Sequence, residues 1–390
     1  MSLFEPFTCR GVTARNRIVA SPMCQYAAED GCLTDWHLAH LGRLAIGGAG
    51  VVFVEETAVE ARGRKTYQCA GLWSDAQIPS YRRVARLIRA AGAVPAIQIG
   101  HSGRRASTHD AQHEWRPLRP EDAADGAPPW TAVAPSALPV DDAWPTPHAL
   151  TAAEIDDVVT AWAAAARRAA DAGFEVLELH GAHGYLIHEF LSPITNHRTD
   201  GYGGRRTARM RLALDIADAV RDAWPAHRPL FYRASCVDGQ GGAWDVDDTV
   251  ELARALAARG VDLIDCSSGG ITGDSAMPIV ARVPGYGVEF ARTVRAEAGV
   301  PTLAVGMIID PRQAQDVVDS GAADLVGLAR GLLAEGDWPV RAARELGEPD
   351  PFSLLPDEYA FRLRRRDAVA AMPANRAALT DDQLRILEST

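Results

Sequence analysis

The run from Glu178 to Leu191, ELHGAHGYLIHEFL, sets His180, His183, Tyr185 and His188 within about one strand end and two helical turns. Four chemistries use such a cluster: metal ligation, acid–base transfer, hydrogen-bond donation and plain burial. A catalytic zinc site asks for three protein ligands and an open fourth position. His180 and His183 make an H-x-x-H pair, but His188 stands five residues beyond on a helix expected to face elsewhere, and no H-E-x-x-H occurs. No metal is expected, and His188 reads as a core or surface histidine. If a strand ends at His180 and a turn follows, the imidazoles of His180 and His183 can present their N–H groups together.

What positions that pair is a unit repeated along the chain: a helical run, a glycine, then an apolar strand. It appears as LGRLAIGGAGVVFVEE, VARLIRAAGAVPAIQIG, AWAAAARRAADAGFEVLELH, VELARALAARGVDLIDCSS, ARTVRAEAGVPTLAVG and AQDVVDSGAADLVGLARG. The helical parts carry apolar residues near a 3.6 spacing, as at Val250, Leu252, Ala253 and Leu256. Strands apolar on both faces belong to a parallel sheet covered by helices. With NRIVASPM and RPLFYRAS the strands number about eight, which predicts an α/β (β/α)8 TIM barrel ahead of a doubly wound sheet. No G-x-G-x-x-G follows the first strand.

Barrel chemistry sits at the C-terminal strand ends. Those ends read Ser21-Pro22-Met23-Cys24-Gln25-Tyr26, Glu55-Glu56-Thr57, Gln98 to His101, Glu178-Leu179-His180, Arg233, Cys266 to Gly269, Gly306 and Arg330. Nearly every one carries a polar or reactive group, which a purely structural barrel does not require. The last three form a phosphate end: Gly306 lets backbone N–H groups approach an anion, Arg330 offers a two-pronged clamp, and Ser268-Gly269 borders the same sector. Two segments break the rhythm. Residues from about 101 to 150 form a lid insertion after strand 3, rich in Pro, Ala and Asp. Residues 347–390 form a C-terminal helical extension beyond a barrel expected to span 1–346.

The chain of 390 residues is 47% hydrophobic with a net charge of −11, so a nucleic-acid surface is not expected. No apolar run reaches the ~20 residues of a membrane span, and MSLFEPFTCRG lacks a signal-peptide pattern. Six scattered cysteines without a C-x-x-C pair suggest reduced thiols in a cytoplasm.

Taken together, SPMCQY, IQIGHSGR, HGAHGYLIHEFLSPITNHRTDGYGG, DLIDCSSGG, AVGMI and LARGLL resemble the Old Yellow Enzyme family of flavin-dependent ene-reductases, in its thermophilic-like branch. The likeness runs from Leu3 to about Leu346. It implies bound FMN, with NADPH or NADH as hydride donor and an enone as acceptor. Ser21, Pro22, Met23 and Cys24 would line the flavin edge, Gln98 its pyrimidine half, and Arg233 the region of N1 and C2=O. Ser268, Gly269, Gly306, Ala329 and Arg330 would hold the phosphate. His180 and His183 would bind the substrate carbonyl, Tyr185 would give the proton to the α-carbon, and Tyr26 would hydrogen-bond across the substrate. A homodimer or homotetramer is expected by the same likeness.

Three positions depart from the branch's pattern. Glu56 stands where a small residue is usual, at the flavin O4/N5 edge, where an ionised carboxylate disfavours flavin reduction and where it could instead touch substrate. Ala329 replaces a glycine, and Arg105 stands where lysine is frequent, still a cation at the mouth. The basic run Arg362, Arg364, Arg365 and Arg366 either reaches a neighbouring subunit or forms a charged helix face. A bulky conjugated aryl or acyl thioester is the alternative acceptor. A metal-dependent hydrolase on the same barrel, or a silent binding barrel, is the reading outside flavin chemistry.

Overall fold

The computed structural model describes residues 1–239, 243–272, 280–383 and 385. The last residues of the expected extension, 386–390, lie outside them. Eight parallel strands close into a barrel in chain order: β1 Ile18–Ala20, β2 Val51–Ala58, β3 Val94–Gly100, β4 Val176–Gly181, β5 Leu230–Ser235, β6 Leu263–Ser267, β7 Thr302–Ala304 and β8 Leu325–Leu328, with β8 pairing back onto β1. The helices that cover it include α1 Asp35–Ile46, α2 Ile78–Ala90, α3 Ala152–Ala172, α4 Arg211–Ala223, α5 Val246–Ala257, α6 Val288–Ala298, α7 Pro311–Asp319 and α8 Trp338–Glu345. The glycine of each repeat works as expected where a helix must stop: α3 ends on Gly173 at φ 93° and α6 on Gly299 at φ 68°.

Alternation along the strands separates two cores. Ile18, Val52, Val54, Ile97, Ile99, Leu177 and Leu179 face the helices, while Val19, Val51, Phe53, Val94, Ala96, Val176, Phe231, Leu263, Leu303 and Leu325 fill the barrel's lower interior. Val12 and Ala14 from the N-terminal hairpin Phe7–Cys9/Val12–Ala14 join the interior cluster. The same two-residue step carries polar side chains upward. In β4 the inward series runs Val176, Glu178, His180; in β5 it runs Phe231, Arg233, Ser235; in β6 it runs Leu263, Asp265, Ser267. Apolar filling thus gives way to a charged layer and then to the mouth.

The insertion between β3 and α3 lies where a lid was expected. It holds 3-10 turns and a small parallel pair, Val133–Ala134 with His148–Ala149. Arg104 fastens it: its guanidinium donates to the carbonyls of Leu138 and Pro139 at 3.3 and 2.8 Å, and to that of Ile271 beyond β6 at 2.6 Å. The C-terminal segment contains α9, Asp357–Ala370, which docks through Ala360 and Leu363 on Val340, Phe352 and Leu355. Within this chain Arg364 pairs with Asp350 at 2.7 Å and Arg366 with Asp367 at 2.8 Å. Among the described residues no helix is long and apolar enough to cross a membrane.

Candidate active site

The turn after β4 is built on two successive left-handed residues, His183 at φ 61° and Gly184 at φ 72°. Gly184 is needed for space as well as for φ, because a Cβ there would collide with the carbonyl oxygen of Gly270. This turn folds the His183 ring back onto His180, with ring centroids 5.0 Å apart and planes at 80°. His183 Nδ1 comes within 3.4 Å of His180 Nε2.

The outer partner of His180 fixes its proton, and the direction of the Ser267 bond sets that of His183. The backbone N–H of Ala182 donates to His180 Nδ1 at 3.3 Å, which places the proton of the neutral ring on Nε2. Ser267 Oγ lies 2.7 Å from His183 Nε2; with its hydroxyl as donor there, the His183 proton sits on Nδ1. Two N–H groups then meet, close enough to share one oxygen between them. Burial, followed by the nearby Arg233 charge, holds both imidazoles well below the usual histidine range, so both are neutral donors at pH 7. His183 is anchored further by its own backbone N–H, which donates to Ser235 Oγ at 3.0 Å. His188 is a core residue, fully buried, and accepts from the Gly184 backbone N–H at 2.9 Å.

Tyr185 ends the same turn, its ring 5.0 Å from that of His180. Burial pushes its hydroxyl well above the ordinary phenol value, so the proton stays on. Tyr26, at φ 52°, packs against Trp115 from the lid, itself at φ 59°, with ring centroids 4.7 Å apart and planes tilted by 58°. Left-handed non-glycine residues cost energy and concentrate at functional sites. Here His183, Tyr26 and Trp115 gather at one mouth.

Below the histidines lies the charged layer. Gln98 Nε2 donates to Glu178 Oε1 at 2.9 Å, and Arg233 pairs with Asp265 at 3.3 Å. Burial drives Glu178 well above the carboxylate range and Asp265 up to about 6, the latter restrained by Arg233. Arg233 keeps its Nε buried and without a partner among the described residues, and so does Ser21 its Oγ.

A cavity of about 790 Å³ opens over this floor. Of the residues expected from sequence, Ser21, Arg105, His183, Tyr185, Arg233, Ser268, Gly306, Ala329 and Arg330 line it directly. His180, Tyr26, Gln98, Pro22, Met23, Cys24, Glu56 and Gly269 stand beside or behind that lining rather than in it. Burial is the main reason Cys24 is raised well above the thiol range, so it stays a thiol. Arg330 opens the short helix Arg330–Ala334 and has no ion-pair or hydrogen-bond partner among the described residues. Sequence reasoning missed Lys65, Ser267, Arg282, Tyr286 and Met307, which also line the cavity. Ser267 was readable, since it lies two residues beyond Asp265 on the inward face of β6; the others sit on loops without a periodic signal.

Glu56 has a local cause. The β2–β3 register jumps between Val54 and Thr57, so Glu55 and Glu56 together face Gln98 in a bulge. Glu55 turns to His37 of α1 at 3.4 Å, and Glu56 turns into the space left by the missing side chain of Gly100. Burial, reinforced by Glu55, pushes the Glu56 carboxyl up to about 8. It is therefore neutral at pH 7. A carboxyl raised in this way contributes stability that is complete below its unfolded value near 4.5 and is lost as pH climbs toward 8. Glu56→Gln should match the parent at pH 5 and exceed it at pH 8.5, by on the order of a few kcal/mol, in urea melts at the two pH values.

Residues 2–348 match the model of the NADH:flavin oxidoreductase / NADH oxidase family. An NADPH dehydrogenase of Geobacillus sp. (strain WCH70) is 44% identical over 348 residues, covering 88% of this chain and 94% of that one. Morphinone reductase in complex with tetrahydroNAD superposes with a TM-score of 0.71 at 26% identity, over 91% of this chain and 94% of that one. The old yellow enzyme homologue from Zymomonas mobilis gives a TM-score of 0.73 at 25% identity, over 88% and 93%.

Proposed function

The chain belongs to the NADH:flavin oxidoreductase / NADH oxidase family, and on that premise we propose that it reduces the activated C=C bond of an α,β-unsaturated carbonyl compound. It is an NAD(P)H-dependent flavin oxidoreductase of the Old Yellow Enzyme family, with FMN as its cofactor. The observation that carries the finer reading is the convergence of His180 Nε2 and His183 Nδ1, 3.4 Å apart, beside a protonated Tyr185.

The residues present fit FMN. Among the described residues, the mouth holds buried polar atoms that lack protein partners, Ser21 Oγ and Arg233 Nε, and an unpaired guanidinium at Arg330, which lines the cavity with Gly306. Arg330, Gly306, Ala329, Ser268 and Gly269 would hold the phosphate, with Arg282 a further cation in that sector. Arg233, Gln98, Ser21, Pro22, Met23 and Cys24 would hold the ring system, with Cys24 a weak thiol donor. Glu56 adds no negative charge there at neutral pH. Bound FMN supplies the hydride chemistry, taking hydride from NADPH or NADH and delivering it to the acceptor.

The chain's own part is to hold the acceptor and move a proton. His180 and His183 donate to the carbonyl oxygen and stabilise the negative charge that grows there when the β-carbon receives hydride. Tyr185 releases its proton to the α-carbon, and Tyr26 closes the side of the site against Trp115. The barrel of residues 1–346 is taken as the catalytic unit, with 347–390 appended. The exposed Tyr359 and Phe361 support a homodimer or homotetramer, and six free cysteines support a reducing cytoplasm.

Both substrates would share one cavity in turn, so initial rates with NADPH and cyclohexenone should give parallel double-reciprocal lines; intersecting lines count against the proposal. Tyr185→Phe should slow the acceptor step by roughly 10²- to 10⁴-fold while flavin reduction by NADPH proceeds, a split that stopped-flow absorbance reads directly. Activity on aryl-CoA thioesters with none on cyclohexenone would transfer the assignment to the thioester acceptor.

A further inference from the structure

The cations of the mouth divide into two groups. Arg330 and Arg282 lie in the sector of β6 to β8, where the phosphate belongs; Arg282 leans on Ser268 Oγ at 3.5 Å and on the Tyr286 ring at 4.6 Å. Arg233 is matched by Asp265. Lys65 and Arg105 line the same cavity, Arg105 beside Tyr185 and tied to the loop after β6, and neither has a carboxylate partner among the described residues. This is unusual for charges withdrawn from water, because an unmatched buried charge is costly.

Lys65 comes from the loop after β2 and is held firmly. Its carbonyl accepts from the backbone N–H and the hydroxyl of Thr108 at 2.8 and 3.1 Å, and its ammonium lies 3.7 Å from the centre of the Trp115 ring. A ring face steadies a cation without neutralising it. The carboxyl acting on Lys65, Glu56, keeps its own proton up to about 8, as does Glu189, which together with Asp141 acts on Arg105. Burial lowers the Lys65 ammonium to about 8, which leaves it mostly charged at pH 7. Arg105 spends one nitrogen on the carbonyls of Gly270 and Thr272, while its Nε lies buried beside Gly184 with no partner among the described residues. Two positive groups with spare donors therefore line the cavity that also holds His183 and Tyr185.

We infer that Lys65 and Arg105 form an anion subsite, and that the physiological acceptor is an activated alkene carrying its own carboxylate. This deepens the proposed reaction and rests on it. Lys65 acts here as a specificity-determining residue: a carboxylate bound there is held by charge-assisted hydrogen bonds, and its alkene is brought under the donors of His180 and His183. The same subsite disfavours cationic acceptors.

The test uses the FMN-loaded enzyme and two acceptors of the same size, 4-oxopent-2-enoate and its neutral amide. Calorimetric titration of the oxidised enzyme should give a Kd for the carboxylate roughly tenfold or more below that of the amide, since a charge-assisted contact is about twice as strong as a neutral one. Lys65→Met should cut that preference for the carboxylate over the amide about tenfold, and Lys65→Arg should restore most of it. The concentration dependence of flavin reduction by NADPH separates the other source of anions. A Lys65→Met change there, with the acceptor ratio unmoved, would assign the cations to the dinucleotide and overturn the inference. Equal binding of acid and amide to the parent enzyme, with both reduced, overturns the anion subsite and leaves the ene-reductase reading standing. Failure to bind or reduce either compound or cyclohexenone overturns both.

Discussion

Replacing either His180 or His183 by alanine should slow reduction of cyclohexenone by roughly a hundred- to thousandfold, the usual cost of losing one donor to a developing oxyanion. The two losses should not multiply, because both N–H groups serve one oxygen and act as a unit. Asparagine at either position restores a donor and should recover part of the rate. The outer partner predicts a smaller effect: Ser267→Ala removes the hydroxyl 2.7 Å from His183 Nε2 and frees the ring to place its proton on the wrong nitrogen. A loss of about tenfold is expected, in line with other outer-shell groups that fix a histidine tautomer. Both rings sit well below the usual histidine range. The acceptor step should therefore show no titration near pH 6.5, and a break there would mean that a charged imidazole is the working form. Titration of the oxidised enzyme with a phenol gives an independent reading, because a phenolate held by the same pair should lose its long-wavelength absorbance in each alanine variant while the flavin bands persist.

Much of this site could be read before the fold was known, and the reason is periodicity. A helix, a glycine and a doubly apolar strand, repeated, leave a covered parallel barrel as the economical arrangement, and the barrel fixes which ends face one another. Within a strand the two-residue step would also have placed Asp265 and Ser267 on the same inward face as Arg233 and His180. The sequence reading stopped short of that step, and Ser267 was passed over for the neighbouring Ser268. Other features leave no periodic trace. The bulge that turns Glu55 toward His37 and Glu56 toward Gly100 depends on a register jump of the paired strand. The protonation of Glu56 depends on burial, which a string of letters does not carry. Lys65 and Trp115 meet only because an insertion after β3 folds back over the loop after β2. The arginine-rich tail raised two alternatives that composition leaves level, and pairing of Arg364 with Asp350 and of Arg366 with Asp367 shows that part of its charge is used within the chain.

Reversing the charge at Arg330 should strip the enzyme of FMN while leaving the barrel folded. Arg330 is exposed, opens its short helix and has no partner among the described residues, so its removal breaks nothing inside the protein. Yet it lines the cavity together with Gly306, where on the proposed reading backbone N–H groups and a two-pronged cation hold the phosphate. Arg330→Ala removes the clamp, and Arg330→Glu adds repulsion against a phosphate carrying up to two negative charges. A hundredfold rise in Kd withdraws about 2.3 of the roughly 2.7 kcal/mol that FMN confers where free FMN stands a hundredfold above the parent's Kd. Arg330→Glu should accordingly pass through ultrafiltration as colourless protein and melt at the temperature of flavin-depleted parent enzyme. Added FMN should raise the melting temperature of the depleted parent and leave that of the variant unmoved until concentrations at least a hundredfold higher are reached. If Arg330→Glu keeps its yellow colour through gel filtration, the phosphate is held elsewhere, and Arg282 with Ser268 becomes the anchor. If it instead melts well below the depleted parent, Arg330 supports the fold through a contact that its exposed position gives no reason to expect.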